Sequence, residues 1–90
     1  MRRVTVGVPA YNEGQNIVNL LRSLEEQHTQ IFEVIISDDS SDNTPGLVRN
    51  FAQHSLLDIK LFHYDTRRGA AAAWNQIFQK ATGDTIVLYD

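Results

Sequence analysis

An α/β fold, with helices on both faces of a mostly parallel sheet, is predicted for this chain by two observations. Four short apolar runs alternate with three stretches whose apolar residues recur at helical spacing, giving the order β-α-β-α-β-α-β. The polar, chemistry-bearing residues then collect just after the strands, in PAYNE, SDDSSDNT and YDTRRG and at the final Asp90. Strands separated by single helices run parallel through right-handed crossovers. In such three-layer sheets ligands bind in the crevice beyond the carboxyl ends of the strands, so four polar loops on one edge read as a site.

The elements follow in order. Val4, Val6 and Val8 form the first strand, which Pro9 is expected to end. Ile17, Leu20, Leu21 and Leu24 fall on one helical face, and Asn12 with Gln15 three residues later suggests a capping box. FEVII, residues 32–36, is the second strand; its near-continuous apolar run suits a parallel strand buried on both faces. Thr44 and Pro45 read as N-cap and first helical residue, followed by an apolar stripe of Leu47, Val48, Phe51 and Ala52. Residues 59–62 make the third strand. Gly69 opens a third helix with Trp74, Ile77, Phe78 and Ala81 on its apolar face, and Gly83 suits its C-terminal cap. Residues 85–89 make the fourth strand.

Bulk properties narrow the function. Ninety residues allow one small domain, and 42% hydrophobic with 21% charged residues is a globular composition. A net charge of −3 argues against general nucleic-acid binding. With no cysteine there is no disulfide framework and no thiolate metal site, which fits a reducing, cytoplasmic setting. The apolar-leaning stretch after Met1-Arg2-Arg3 is too short for a secretion signal or a membrane helix. Neither GxGxxG nor GxxxxGK[ST] is present, against a nicotinamide dehydrogenase and a P-loop nucleotidase.

Individual residues carry two readings. Asp38 and Asp39 sit at a strand tip, placed to meet ribose hydroxyls or a base N–H; alternatively they, Ser40, Ser41 and Asp42 are turn formers that satisfy loop amides. Tyr11 offers a stacking face and Glu13 an acceptor, or the pair merely starts a helix whose dipole favours Glu13. Arg67 and Arg68 can meet a phosphate or remain solvated. Trp74 reads as core, His28 and His54 as residues of helix ends, and His63 is ambiguous. Asp90 is a hard oxygen ligand of the kind Mg²⁺ or Mn²⁺ takes.

Taken together, VTVGVPAYNEGQNI, FEVIISDDSSDNT, GAAAAWN and GDTIVLYD resemble the inverting family 2 glycosyltransferases of the GT-A fold, a Rossmann-like half domain. The match runs through all 90 residues in order. The resemblance implies a nucleotide-diphosphate-sugar site lined by Pro9, Ala10, Tyr11, Glu13, Asp38, Asp39 and Gly69, with Asp39 favoured for the base. Asp90 would be the first aspartate of a D-x-D motif, binding ribose or the divalent metal. Residues 1–90 would then be the N-terminal part of the domain, cut within D-x-D, with no catalytic base among them and the acceptor unspecified. Uridine is the commonest base of the family, so a UDP-sugar is expected. Trp74 stands where the family often has arginine. The parent protein would be cytoplasmic, with membrane association left open, and the isolated 90 residues are expected to self-associate. The competing reading is a receiver-like or other ligand-binding or interaction module without transferase activity, disfavoured because receivers place their acid pair after strand one.

Overall fold

The computed structural model describes residues 2–89. Four strands, β1 (Val4–Ala10), β2 (Glu33–Asp38), β3 (Ile59–His63) and β4 (Thr85–Leu88), alternate with helices α1 (Gln15–Glu25), α2 (Thr44–His54) and α3 (Ala70–Lys80). A short 3₁₀ turn, residues 28–30, links α1 to β2. All pairings are parallel and the strand order is β3-β2-β1-β4. The predicted three-layer α/β architecture is therefore the one observed. The order reverses between β1 and β4, and such a reversal opens a crevice at the carboxyl edge.

Strand alternation sorts the two faces. Val6, Val8 and Ala10 of β1 and Val34 and Ile36 of β2 join Ile17, Val18, Leu21 and Leu24 of α1 and Val48 of α2 in one buried cluster. The intervening positions face α3, whose fully buried Ile77 sits over Gly7. Val34, Ile35 and Ile36 are all inaccessible to solvent, as expected of a central strand covered on both sides.

Several local expectations change. Pro9 does not end β1 but lies inside it, paired with Ser37 of β2. It is tolerated because the β1–β4 register stops at Gly7 and Leu88, so no ladder donor is required of it on that side. Asn12 forms no capping box: α1 starts after Gly14 without a side-chain cap, and the Asn12 side chain is used elsewhere. Asn43 occupies the N-cap position of α2 without a side-chain cap, which makes Thr44 its first residue and Pro45 its second. Gly83 is not a left-handed helix cap. A Cβ there would stand 2.7 Å from the Arg3 carbonyl oxygen and 2.5 Å from Thr5 Oγ1, so glycine is demanded by close approach to β1. Phe78, assigned to the apolar stripe of α3, is exposed; Ala73, Gln76 and Ile77 form its buried face, with Trp74 half-buried beside them.

Candidate nucleotide-binding cleft

The loops after β1 and β2 are stitched together before they meet any ligand. Asn12 holds a positive φ of 50°, which asparagine tolerates better than most residues. From there its Oδ1 accepts the backbone N–H groups of Ser41 at 2.9 Å and Asp42 at 3.2 Å. The Asn12 N–H donates to Ser40 Oγ at 2.7 Å, and the Gly14 N–H to Thr44 Oγ1 at 3.0 Å. Asp42 accepts the Thr44 N–H at 2.9 Å. Hydrogen bonds to Thr44 hold the Asp42 carboxyl below its usual range. Ser40, Ser41 and Asp42 are thus turn and bracing residues.

The adjacent aspartates part company. Asp38 ends β2 on the α1/α2 side and is wholly buried. One of its oxygens accepts the Ser40 hydroxyl, and the other lies 2.7 Å from His63 Nδ1 of β3. His63 Nε2 in turn reaches the exposed Asp65 at 3.1 Å. His63, ambiguous in sequence, is therefore the partner of Asp38, and Asp38 presents nothing to the crevice.

Asp39 turns the other way, toward α3. Its Oδ2 accepts the backbone N–H groups of Arg68 (2.7 Å) and Gly69 (3.2 Å), and its Oδ1 accepts Arg68 Nε at 2.9 Å. Burial alone would raise its pKa; the Arg68 and Gly69 hydrogen bonds and the guanidinium charge outweigh burial and lower it. Gly69 adopts φ 95°, a conformation that side chains resist, and this lets its N–H turn onto the carboxylate at the start of α3. Arg68 is heavily engaged: Nη2 also donates to Ser37 Oγ at 3.0 Å and Gln76 Oε1 at 3.3 Å, and the guanidinium lies 3.6 Å over the Tyr64 ring. Gln76, buried in α3, completes the clasp by donating to Tyr64 Oη at 2.9 Å. Sequence reasoning missed Gln76. Its only signal was a polar residue on a helix face that has to be buried.

Around Asp39 opens a cleft of about 130 Å³ lined by Pro9, Ala10, Tyr11, Glu13, Asp39, Arg67, Gly69, Ala70 and Ala73. Six of the residues expected at a binding site, Pro9, Ala10, Tyr11, Glu13, Asp39 and Gly69, meet there; Asp38 does not. Tyr11 is exposed, and the Arg67 guanidinium lies 4.2 Å over its ring. A second hollow, lined by Val8, Ile17, Leu20 and Tyr89, shares Pro9 and Glu13 with the first. The expected metal ligand Asp90 lies outside the described residues. Among the described residues no three carboxylates or histidines cluster as a metal site, and Asp39 is committed to Arg68. None of the described helices is long and apolar enough to cross a membrane.

The strand order excludes the receiver reading, because receiver sheets place β1 between β2 and β3, whereas here β1 lies between β2 and β4. Comparison with known proteins points one way. The mannosyltransferase PcManGT of Pyrobaculum calidifontis, solved in complex with GDP-Man and Mn²⁺, superposes with a TM-score of 0.85 at 39% identity, over 94% of this chain and 26% of that one. TarS residues 1–349 of S. aureus, in complex with UDP-GlcNAc, gives 0.85 at 30% identity, over 98% and 26%. Among curated proteins, glycosyltransferase AglD of Haloferax volcanii is 36% identical over 97% of this chain. The amylovoran biosynthesis glycosyltransferase AmsB of Erwinia amylovora is 36% identical over 96% of it. The chain spans 15% of AglD and 29% of AmsB, under a third of either. The sequence model described as glycosyl transferase family 2 matches residues 5–90, and the chain belongs to that family.

Proposed function

We propose that this chain supplies the nucleotide-binding half of a glycosyltransferase that moves a sugar from a nucleotide-diphosphate donor to an acceptor. The observation that carries the reading is the convergence of Pro9, Ala10, Tyr11, Glu13, Asp39 and Gly69 on one cleft at the carboxyl edge. In this reading Tyr11 stacks on the base. Asp39 is fixed in its ionised form by Arg68 and the Gly69 N–H. A carboxylate has about four lone-pair positions, and three are taken, which leaves one for a base N–H or a ribose hydroxyl. Glu13 accepts from a hydroxyl at the cleft rim. Asp38 acts indirectly: through Ser40 it braces the loop that carries Tyr11.

Asp90, with diphosphate oxygens of the donor, is assigned the binding of Mg²⁺ or Mn²⁺, a cation that would neutralise charge on the leaving diphosphate. No described residue is assigned the catalytic base, and the acceptor side is assigned to chain outside these 90 residues. The solved neighbours carry GDP-Man in one case and UDP-GlcNAc in the other, so the fold accommodates either base; a UDP-sugar is proposed here. The absence of cysteine suits work in the cytoplasm.

The test is an NMR titration of the 90-residue chain with UDP and with GDP, each with Mg²⁺. Saturable shifts at Tyr11, Asp39 and Gly69, with the amino edge of the sheet unmoved, are expected. A folded sample whose cleft signals stay still at millimolar nucleotide would overturn the proposal.

A further inference from the structure

The geometry points to Arg67 as the residue that recognises the donor's diphosphate, and to its stack on Tyr11 as the resting position from which it moves. The inference rests on the nucleotide reading of the cleft and adds to it the one cation available there. The chain has eight Lys and Arg residues. Arg2, Arg3, Arg22, Lys60 and Lys80 lie at the amino edge, where β1 and β3 begin and α1 and α3 end. Arg49 lies midway along α2. Arg68 is at the right edge but is spent on Asp39, Ser37, Gln76 and Tyr64. That leaves Arg67, which lines the cleft and has no carboxylate partner among the described residues. An anion entering between Tyr11, Glu13 and Gly69 meets two carboxylates, Glu13 and Asp39, and this single uncommitted guanidinium.

Its present contact is one it can give up. An exposed guanidinium over a tyrosine ring is held weakly, whereas a guanidinium on phosphate oxygens makes short, paired, charge-assisted hydrogen bonds. Exchanging the first for the second also uncovers the Tyr11 face. Base stacking and diphosphate binding are therefore coupled: the ligand group that draws Arg67 away frees the ring for the other end of the same ligand. A nucleoside, lacking phosphates, has to displace Arg67 with nothing offered in return.

The experiment compares wild type, Arg67→Ala and Arg67→Lys by titration with UDP and with uridine, and with GDP and guanosine, while the Arg67 Nε and Tyr11 ring signals are followed. Arg67 is exposed, so all three proteins are expected to keep the same spectrum away from the cleft. Arg67→Ala is expected to weaken UDP or GDP by about tenfold or more, the loss of a charged hydrogen-bond partner, while nucleoside affinity holds or rises. Arg67→Lys should recover part of the loss, and in wild type Arg67 Nε and the Tyr11 ring should shift together, at far lower concentrations of diphosphate than of nucleoside. Diphosphate binding that survives Arg67→Ala undiminished, or an equal loss for nucleoside and diphosphate, overturns the assignment of Arg67 while leaving the nucleotide cleft standing. Absence of any nucleotide binding in wild type overturns both.

Discussion

The two edges of this sheet each bury a carboxylate, and they use it in opposite ways. At the amino edge Glu33 of β2 is wholly inaccessible. Its Oε2 accepts Thr5 Oγ1 (2.6 Å), the Thr82 N–H (2.6 Å) and Thr82 Oγ1 (3.0 Å), and its Oε1 takes Lys60 Nζ at 2.7 Å. Four donors from β1, β3 and the turn before β4 close around it, and it lines none of the hollows found among the described residues. At the carboxyl edge Asp39 has three donors, all from the loop into α3, and lines a cleft. A buried carboxylate alone does not mark a site. Remaining acceptor capacity beside a cleft is what a ligand needs, and of these two carboxylates Asp39 has it. Glu33 is a fastener joining three strands.

The largest expected effect follows from that contrast. Burial would push the Glu33 pKa up, but Lys60, Thr5 and Thr82 together bring it down to about 2, from the ordinary carboxyl value of 4.5. Because the folded pKa lies below the unfolded one, this stabilisation is fully present above about pH 4.5 and is lost as pH falls toward 2. Glu33→Gln removes the charge and turns an amide N–H₂ toward donors that need an acceptor. It is expected to cost roughly 3 kcal/mol at pH 7, the scale of losing hydrogen bonds to a charged acceptor and leaving a buried donor unpaired. Urea denaturation at pH 7 and pH 3 checks this: the gap between wild type and variant should shrink at the lower pH. A pH-independent gap would show that Glu33 acts by shape and not by charge.

Next in size is Gly83→Ala at the same edge. The new methyl would meet the Arg3 carbonyl, a backbone atom that cannot swing away, and would strain the Gly83 N–H bond to Thr5 Oγ1. A loss of roughly 1–3 kcal/mol is expected from this overpacking, read as a lower urea midpoint with no change in nucleotide binding. Loss of binding at unchanged stability would mean that the two edges are not independent.

The third effect crosses over. Asp39→Asn at the carboxyl edge keeps the shape but discharges the partner of Arg68. Stability should fall by roughly 1–2 kcal/mol, the scale of a hydrogen bond to a charged group, whereas UDP or GDP binding should fall below detection in the same titration. Asp38→Asn, its neighbour, should cost stability and weaken binding only in proportion, because Asp38 faces His63 and Ser40 and not the cleft.

These particulars show what could be read from the sequence. The alternation of apolar runs and helical stripes is a local signal, so the element order and the three-layer architecture were legible. The gathering of PAYNE, SDDSSDNT and YDTRRG on one edge then followed from parallel topology alone. What was not legible depends on contacts between distant residues. Glu33 sits within FEVII and reads there as an ordinary interruption; its donors lie 27, 28 and 49 residues away. Asn12 looks like a cap because its true partners, Ser41 and Asp42, belong to another loop. Asp38 and Asp39 look alike until strand alternation sends them to opposite faces. Gly83 looks like a helix stop because the strand residue it touches, Thr5, lies 78 residues earlier in the chain.

The smallest expected effect on the fold is at Tyr11, and it sharpens the contrast most. Tyr11 is 42% exposed and its ring contributes its face to Arg67, not to the core. Tyr11→Ala should therefore change stability by no more than about 0.5 kcal/mol, as exposed substitutions usually do. Stacking on a base, however, is worth roughly 1–3 kcal/mol where an aromatic platform supplies it, so nucleoside and diphosphate should weaken together by about tenfold. This is the reverse of Gly83→Ala, which should lower stability without touching the ligand. It also differs from Arg67→Ala, which should spare the nucleoside. If Tyr11→Ala leaves both ligands bound as before, the base stacks elsewhere, and the hollow beside Pro9 and Tyr89 becomes the place to look for it.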